Sequence, residues 1–186
     1  MNSTLAILTV CTGNICRSPA AERLLAAPLG PAARVSSAGT WAVVDSPIAP
    51  PMAALVEAAG GSAAAFAARQ IREPMVRAAD RILTATVEHR SAVVGLAPHA
   101  MKRTFTLLEF ARAAALADRA ALVPLPLTDR VRLIADEARL ARPRLRLTPA
   151  ELDVPDPFGA SDDVFRSSFA LIQRAAATIA ATLLGN

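Results

Sequence analysis

Short strand-like runs alternate with stretches of helical periodicity along this chain. The first run, Leu5–Val10, is bounded and rich in branched residues, which predicts a buried β-strand. Further runs predict strands at 34–38, 82–85 and 104–106. Strands that alternate with helices favour an α/β fold, here an open, mostly four-stranded parallel sheet with helices on both faces.

Apolar spacing predicts the helices between and after these strands. Residues 66–79 are predicted to be helical in pieces, with an interruption at Pro74, and 143–157 to be a proline-stiffened loop. The last helix, about 162–184, has the clearest apolar stripe. The other predicted helices that follow the first loop and its helix span 52–59, 87–96, 107–117 and 128–142. No linker, repeat or charge block divides the chain, so we expect a single domain over 1–186.

The loop that follows the first strand carries the reactive side chains. Cys11 ends the strand, and Pro19 suits the first position of the next helix, where its missing N–H costs nothing. A loop of this kind at a helix N-terminus is expected to bind phosphate. The predicted phosphate-binding residues are Thr12, Gly13, Asn14, Ile15, Cys16, Arg17 and Ser18.

This arrangement of strand, loop and helix has a physical logic. Successive backbone N–H groups at a helix N-terminus form an anion-binding nest. Arg17 adds a planar fork that bonds two oxygens of one phosphate. Free cysteine titrates near 8.5, and this value falls to roughly 3.5–7.5 beside such groups. We therefore expect Cys11 to be a thiolate that attacks phosphorus, although a buried cysteine at a strand end also serves as a small apolar residue.

Composition narrows the class of protein. The 186 residues suit one domain, and no apolar run reaches the roughly 18–20 residues that span a bilayer. The N-terminal apolar stretch lacks a basic region and is too short for a signal peptide. We therefore expect a cytoplasmic protein without a membrane partner, with export without a signal peptide as the alternative. Both cysteines lie in the loop, which is not a disulfide framework.

Charge and histidine content bear on partners and cofactors. The net charge is +4, and aromatic residues make up 4% of the chain with no aromatic-interleaved basic motif, so we expect no nucleic-acid partner. The arginines are expected to attract phosphorylated, acidic substrates. His89 and His99 are isolated and share no ligand spacing with the cysteines, which predicts surface positions, no metal and no cofactor. A monomer is the default expectation.

The string CTGNICRSPAAE resembles the low-molecular-weight protein tyrosine phosphatases nearly letter for letter. The resemblance extends in the family's order to SAGT at 37–40, ARQ at 68–70, EHR at 88–90 and DPFG at 156–159. It implies hydrolysis of phosphotyrosine in proteins, or of small aryl phosphate monoesters, through a cysteinyl-phosphate intermediate. Phosphoarginine or a small phosphomonoester remains an alternative substrate.

The resemblance also implies roles for residues outside the loop. Asp156 lies in the Asp-Pro-aromatic motif where the family has its general acid, so the catalytic set becomes Cys11, Arg17 and Asp156. Asp153 is the competing carboxylate, and an aspartate before proline is also a common turn residue. Trp41 and Phe158 stand where the family has the aromatic walls of the substrate cleft. Ordinary packing is the alternative for Trp41.

Cys16, Asn14 and Ser18 have supporting roles in this resemblance. The family uses a second cysteine to capture an oxidised nucleophile as a disulfide, and for Cys16 a small buried side chain is the alternative. Ser18 is expected to hydrogen-bond the Cys11 sulfur, and Asn14 to hold the loop's shape. The chain departs from the family at Phe66, where many members have a loop-supporting histidine, so we expect a shorter or water-closed network.

Two other functions are open at this stage. Arsenate reductases of the same fold share the Cys-x5-Arg loop, but they relay electrons through further cysteines, and none follows Cys16. A variant that uses an external thiol is the remaining form of that hypothesis. The alternative from another class is a non-catalytic phosphate-binding regulator, which predicts loss of the nucleophile or the acid. Residues 111–148 match the family loosely and receive no functional assignment.

Overall fold

Four parallel strands form the central sheet, in the order β2-β1-β3-β4. The computed structural model describes residues 4–145 and 148–185. Its strands are β1 at Leu5–Cys11, β2 at Ala33–Gly39, β3 at Arg81–Thr84 and β4 at Thr104–Thr106. The central strand β1 pairs with β2 as far as Cys11 beside Gly39, and with β3 as far as Val10 beside Thr84. The loops after β1, β2 and β3 therefore meet at one edge of the sheet.

Helices cover both faces of this sheet, which confirms the α/β fold that the sequence predicts. They are α1 at Arg17–Leu29, α2 at Pro50–Ala58, α3 at Glu73–Ala78, α4 at Val87–Leu96, α5 at Leu107–Leu116, α6 at Arg119–Leu122, α7 at Leu127–Leu145, α8 at Pro149–Leu152 and α9 at Asp162–Leu184. The predicted bounds of α4, β4 and α9 agree with the structure.

The alternation of side chains along β1 divides the core in two. Leu5 and Ile7 belong to the larger cluster, which contains the buried faces of α1, α5 and α9. Leu8 and Val10 point to the opposite face and pack with buried residues of α3 and α4. Because β1 is buried on both faces, it has the continuous apolar sequence that marks a central parallel strand.

The last helix, α9, is a core helix. It is the one helix among residues 4–145 and 148–185 that has the length and composition to cross a membrane. Its apolar stripe is instead packed within the larger core cluster, where Ile172, Ile179 and Leu183 are completely buried. Helix α9 contacts α1 and α5 most extensively.

Two predicted segments differ from the structure. Residues 66–72 are not helical, and Gln70 forms an isolated parallel bridge with Gly39 beside the end of β2. Pro74 lies in the first turn of α3, where a missing N–H is tolerated, so it begins the helix instead of interrupting it. The predicted loop at 143–157 is shorter than expected, because α7 continues through Pro143 and α8 begins at Pro149.

Candidate active site

The loop after β1 is shaped by Asn14. Its φ of 56° lies in the left-handed region, which asparagine adopts more easily than most residues. The Asn14 side chain is completely buried. Its Nδ2 donates to Ser18 Oγ at 2.9 Å and to Ser37 Oγ at 2.8 Å, and its Oδ1 accepts from the backbone N–H of Arg69 at 2.8 Å. Asn14 therefore ties the loop to α1, β2 and the segment before α3.

The buried sulfur of Cys11 lies 2.9 Å from Ser18 Oγ. Because Ser18 Oγ already accepts a hydrogen bond from Asn14, its own hydrogen is available for the sulfur. The competing acceptor, the carbonyl oxygen of Ala38, is farther away at 3.4 Å. A hydroxyl hydrogen directed at sulfur is the donor that a thiolate nucleophile and leaving group needs.

The guanidinium of Arg17 closes one side of the site. It is buried, and its Nη2 donates to Asp156 Oδ2 at 2.6 Å and to Thr12 Oγ1 at 3.2 Å. Nη1 donates to the carbonyl oxygen of Val154 at 3.3 Å. Within the described part of the chain, Arg17 Nε is buried and has no hydrogen-bond partner. In the same part of the chain, the Nε atoms of Arg23, Arg81 and Arg103 are likewise buried without a hydrogen-bond partner, so it is the position of Arg17 on the cavity that suits it to bind an anion.

A cavity of about 190 Å³ opens over the loop. Asn14 and Ser18 lie beneath it, and the aromatic side chains of Trp41 and Phe158 are 81% and 67% exposed. The structure thus brings together residues that are distant in sequence. The cavity is lined by Cys11, Thr12, Gly13, Ile15, Cys16, Arg17, Trp41, Val43, Asp156 and Phe158.

The two candidate carboxylates have different surroundings. Asp153 Oδ1 accepts the backbone N–H of Val87 at 2.8 Å, so it satisfies a free donor at the start of α4. Asp156 instead lines the cavity and contacts Arg17. Asp156 Oδ1 also accepts from the backbone N–H of Phe158 at 3.2 Å, which orients the carboxylate within its turn.

Cys16 lines the cavity, but it is 3% exposed. Burial raises the pKa of the Cys16 thiol to about 12, with further contributions from the neighbouring charges of Cys11 and Asp156, while Arg17 acts in the opposite direction. Neither cysteine forms a disulfide. Cys16 is therefore held as a protonated thiol, and its capture of an oxidised Cys11 stays a prediction.

The prediction that His89 is a surface residue is wrong, because its side chain is 6% exposed. Its Nε2 lies 2.8 Å from Thr12 Oγ1, and its Nδ1 lies 2.6 Å from Thr86 Oγ1. Burial lowers the pKa of His89 to about 4; Arg17 adds to this effect, and Asp156 and Asp153 oppose it. His99 is exposed, as expected.

The site includes His89, which the sequence analysis did not predict, although its position after β3 could have indicated it. It stands just after β3, and β3 lies beside β1, so the start of α4 meets the Cys11 loop. Thr86 caps α4 by accepting the backbone N–H of His89 at 3.2 Å, which places the ring at the carboxyl edge of the sheet. No group of three or more metal-ligating side chains occurs within residues 4–145 and 148–185.

The network beneath the loop ends at a carboxylate. Ser37 Oγ donates to Glu22 Oε2 at 2.5 Å, which extends the chain of hydrogen bonds from Asn14 to α1. Phe66, at the position of the family's histidine, instead packs under the guanidinium of Arg23, whose carbon lies 5.6 Å from the ring centroid. Glu22 therefore accepts directly from Ser37, which agrees with the shorter of the two networks that we expected.

The fold and this site define a phosphate-binding α/β protein, with an anion loop between the first strand and the first helix. The sequence profile of the family described as low molecular weight phosphotyrosine protein phosphatase matches residues 6–130. The chain belongs to this family, and it is a phosphatase.

Individual relatives agree with this assignment. The low molecular weight protein-tyrosine-phosphatase Wzb of Salmonella typhimurium is 30% identical over 170 residues, which are 91% of this chain and 88% of that protein. A protein-arginine-phosphatase of Geobacillus stearothermophilus is 38% identical over 104 residues, or 56% of this chain and 70% of that protein. The solved structure of the YwlE arginine phosphatase from Geobacillus stearothermophilus superposes with a TM-score of 0.69 at 26% identity, over 95% of this chain and 90% of that one.

Proposed function

We propose that this phosphatase hydrolyses phosphotyrosine in proteins, and aryl phosphate monoesters, through a cysteinyl-phosphate intermediate. One observation carries the proposal: the Cys11 sulfur, the Arg17 guanidinium and the Asp156 carboxylate line the same cavity of about 190 Å³. A nucleophile, an anion-binding cation and a proton donor are the groups that this reaction requires.

In the first step, the Cys11 sulfur attacks phosphorus as a thiolate, opposite the phenolic oxygen. An S–P bond forms as the P–O bond breaks, and protonated Asp156 transfers its proton to the departing phenolate. Negative charge spreads over the equatorial phosphoryl oxygens, which the loop amides and Arg17 stabilise. The unpartnered Nε of Arg17 is a donor available to one of these oxygens.

In the second step, water attacks the cysteinyl-phosphate. The water oxygen bonds to phosphorus while ionised Asp156 accepts a proton from the same water, so the carboxylic acid is restored. The S–P bond breaks, and the sulfur leaves as a thiolate with the Ser18 hydroxyl 2.9 Å away. Inorganic phosphate is the product, and the enzyme returns to its starting protonation state.

The rim of the cavity supports an aromatic substrate. Trp41 and Phe158 are mostly exposed, and Val43 beside them is 49% exposed. Exposed apolar side chains at the mouth of a polar cavity provide a surface on which a flat ring stacks. Phosphoarginine is the second candidate substrate, because the chain is 38% identical over 104 residues to a protein named as an arginine phosphatase.

Kinetics with three substrates test the proposal. Under reducing conditions at mildly acidic pH, we expect p-nitrophenyl phosphate and a phosphotyrosine peptide to be hydrolysed, and a phosphoarginine peptide of the same sequence to have a lower kcat/KM. Cys11→Ser should be inactive but should still bind inorganic phosphate. A higher kcat/KM for phosphoarginine would reverse the choice of substrate, and phosphate binding without turnover would favour a regulator.

The same assay addresses the arsenate alternative. Arsenate reduction by an external thiol would appear as arsenite formation without hydrolysis of p-nitrophenyl phosphate. Within the whole sequence, the two cysteines both lie in the phosphate-binding loop, and a reductase needs thiols that relay electrons out of the site. The arrangement of thiols therefore favours hydrolysis.

We also propose that the protein acts in the cytoplasm. Cys11 and Cys16 are both free, and the proposed mechanism requires Cys11 to stay reduced. Cell fractionation with an antibody to the native protein would test this location. Recovery in the culture medium without cell lysis would contradict it.

A further inference from the structure

His89 is a buried titratable residue that the proposed mechanism leaves unused. It is the third residue of α4, and its side chain is 6% exposed. Both ring nitrogens contact hydroxyl groups: Nε2 lies 2.8 Å from Thr12 Oγ1 and Nδ1 lies 2.6 Å from Thr86 Oγ1. A buried imidazole with both nitrogens bonded is held in one orientation.

Thr12 connects this imidazole to the phosphate-binding guanidinium. Thr12 Oγ1 accepts from Arg17 Nη2 at 3.2 Å while it contacts His89 Nε2. The same Nη2 donates to Asp156 at 2.6 Å. Arg17 Nη2 is thus held by two acceptors, the Thr12 hydroxyl and the half-exposed Asp156 carboxylate. Without the Thr12 hydroxyl, its position would depend on the carboxylate alone.

The hydrogen bonds are consistent in either neutral tautomer of His89. If Nδ1 accepts from Thr86, Nε2–H donates to Thr12, and the Thr12 hydrogen is available to a bound oxyanion. If Nδ1–H donates to Thr86, Nε2 accepts the Thr12 hydrogen. In both cases Thr12 keeps an oxygen lone pair for Arg17, and the imidazole determines the position of that oxygen.

We propose that His89 is a positioning residue, which holds the Thr12 hydroxyl and through it orients Nη2 of Arg17 toward the phosphate oxygens. The inference rests on the proposed function, in which Arg17 binds the phosphoryl group. Arg17 contacts the phosphate before and during phosphoryl transfer, so misplacement weakens phosphate binding as well as catalysis.

The charge state of His89 supports this role. Burial and the nearby Arg17 lower the pKa of the ring to about 4, against the opposing effects of Asp156 and Asp153. The ring is therefore neutral at mildly acidic and neutral pH. A neutral ring positions the guanidinium through hydrogen bonds without placing a second cation beside it.

Two substitutions at His89, with a matched control, test this. His89→Leu removes both hydrogen bonds, whereas His89→Gln retains a polar group that reaches toward Thr12. We expect kcat/KM for p-nitrophenyl phosphate to fall about tenfold in His89→Leu, as for loss of one or two hydrogen bonds, and to recover largely in His89→Gln. Exposed His99→Gln should match the wild type. Calorimetric binding of inorganic phosphate should weaken in the same order.

A double-mutant cycle with Thr12 distinguishes a positioning role of His89 from a general effect on stability. In a Thr12→Ala background, His89→Leu should cause no further loss, because its effect passes through the missing hydroxyl. Equal and additive losses in both backgrounds, or a lower melting temperature with unchanged kcat/KM and phosphate affinity, would overturn the proposal. If His89→Leu fails to fold, His89→Ala, which also removes both hydrogen bonds, and its Thr12→Ala double variant decide the question by the same criteria.

The proposed function can fail separately from this inference. A wild-type protein that binds phosphate but hydrolyses neither p-nitrophenyl phosphate nor phosphotyrosine would refute the proposed function. The calorimetric series would then still measure whether His89 controls the phosphate affinity that Arg17 provides. Full activity of the wild type, with His89→Leu equal to it in kcat/KM and in phosphate affinity, would refute the positioning role alone.

Discussion

Arg17 Nη2 lies 2.6 Å from Asp156 Oδ2, although 139 residues separate the two along the chain. The guanidinium side chain is 5% exposed and the carboxylate side chain is 49% exposed. The proposed phosphate ligand and the proposed general acid therefore share one contact, and a phosphate oxygen competes with the carboxylate for the same N–H group. This competition gives the two residues distinguishable effects on binding and on rate.

Replacement of Asp156 should slow catalysis without weakening phosphate binding. In Asp156→Ala we expect kcat for p-nitrophenyl phosphate to fall by roughly 10²–10⁴-fold, because the proton donor is lost. The inhibition constant of inorganic phosphate should stay equal or decrease, since Arg17 Nη2 is freed. Steady-state kinetics with phosphate as competitive inhibitor measures both quantities.

Asp153→Ala is the control for that experiment. Asp153 accepts the N–H of Val87 at 2.8 Å, so its loss should lower the melting temperature. The value of kcat should stay near that of the wild type. A larger fall in kcat for Asp153→Ala than for Asp156→Ala would identify Asp153 as the acid.

Arg17→Lys should be a severe change in spite of the retained charge. A lysine ammonium cannot reproduce the guanidinium contacts with Thr12, Asp156 and the carbonyl oxygen of Val154. We expect kcat/KM to fall by roughly 10²–10³-fold, as for loss of a transition-state donor. Arg23→Lys is the matched control outside the cavity, and it should leave kcat/KM near the wild-type value. Comparable losses in the two variants would contradict the role of Arg17.

Glu22→Gln should destabilise the network beneath the loop. Ser37 donates to Glu22 at 2.5 Å, and hydrogen bonds to a charged acceptor are stronger than neutral ones. We expect the free energy of unfolding in urea to fall by roughly 1–2 kcal/mol. Glu57→Gln, at an exposed position of α2, is the control and should change it little. Equal stability of the two variants would mean that the Glu22 carboxylate does not support the loop.

His89 should make the fold less stable as the pH falls from about 6.5 to about 4. The ring binds a proton near 6.5 in the unfolded chain but near 4 in the folded one, because of burial and Arg17, with Asp156 and Asp153 opposing. Between these values the unfolded state binds more protons, so acidification favours unfolding. His89→Gln removes this contribution to the pH dependence of unfolding. Between pH 7 and pH 4, the free energy of unfolding of this variant should therefore fall by roughly 3 kcal/mol less than that of the wild type. Parallel curves in urea titrations would contradict the low pKa.

Cys16 should react slowly with alkylating agents in the folded protein. Burial raises the pKa of its thiol to about 12, so the thiolate is a small fraction at pH 8. In Cys11→Ser we expect negligible labelling by iodoacetamide until the protein is unfolded in urea. Rapid native labelling would contradict the burial of Cys16. Mass spectrometry of the wild type after mild peroxide treatment tests the separate prediction of a Cys11–Cys16 disulfide.

Local patterns were sufficient for much of the fold. Four strand-like runs predict the four strands, and the stripe of α9 predicts its bounds, because strand and helix periodicities are properties of neighbouring residues. The errors at 66–72 and 143–157 have a shared cause. Alanine-rich and proline-rich segments have weak periodicity, so tertiary contacts such as the Gln70 bridge to Gly39 decide their structure.

The Cys11 loop could be predicted from the sequence, since a strand, a turn and a helix with Pro19 in its first turn are local features. Which distant groups meet that loop depends on the tertiary fold. In the folded chain Asp156 contacts Arg17, Asp153 accepts the backbone N–H at the start of α4, and buried His89 contacts Thr12. For His89 the physical reason is strand order: β3 lies beside β1, so the chain after β3 meets the chain after β1 at one edge of the sheet.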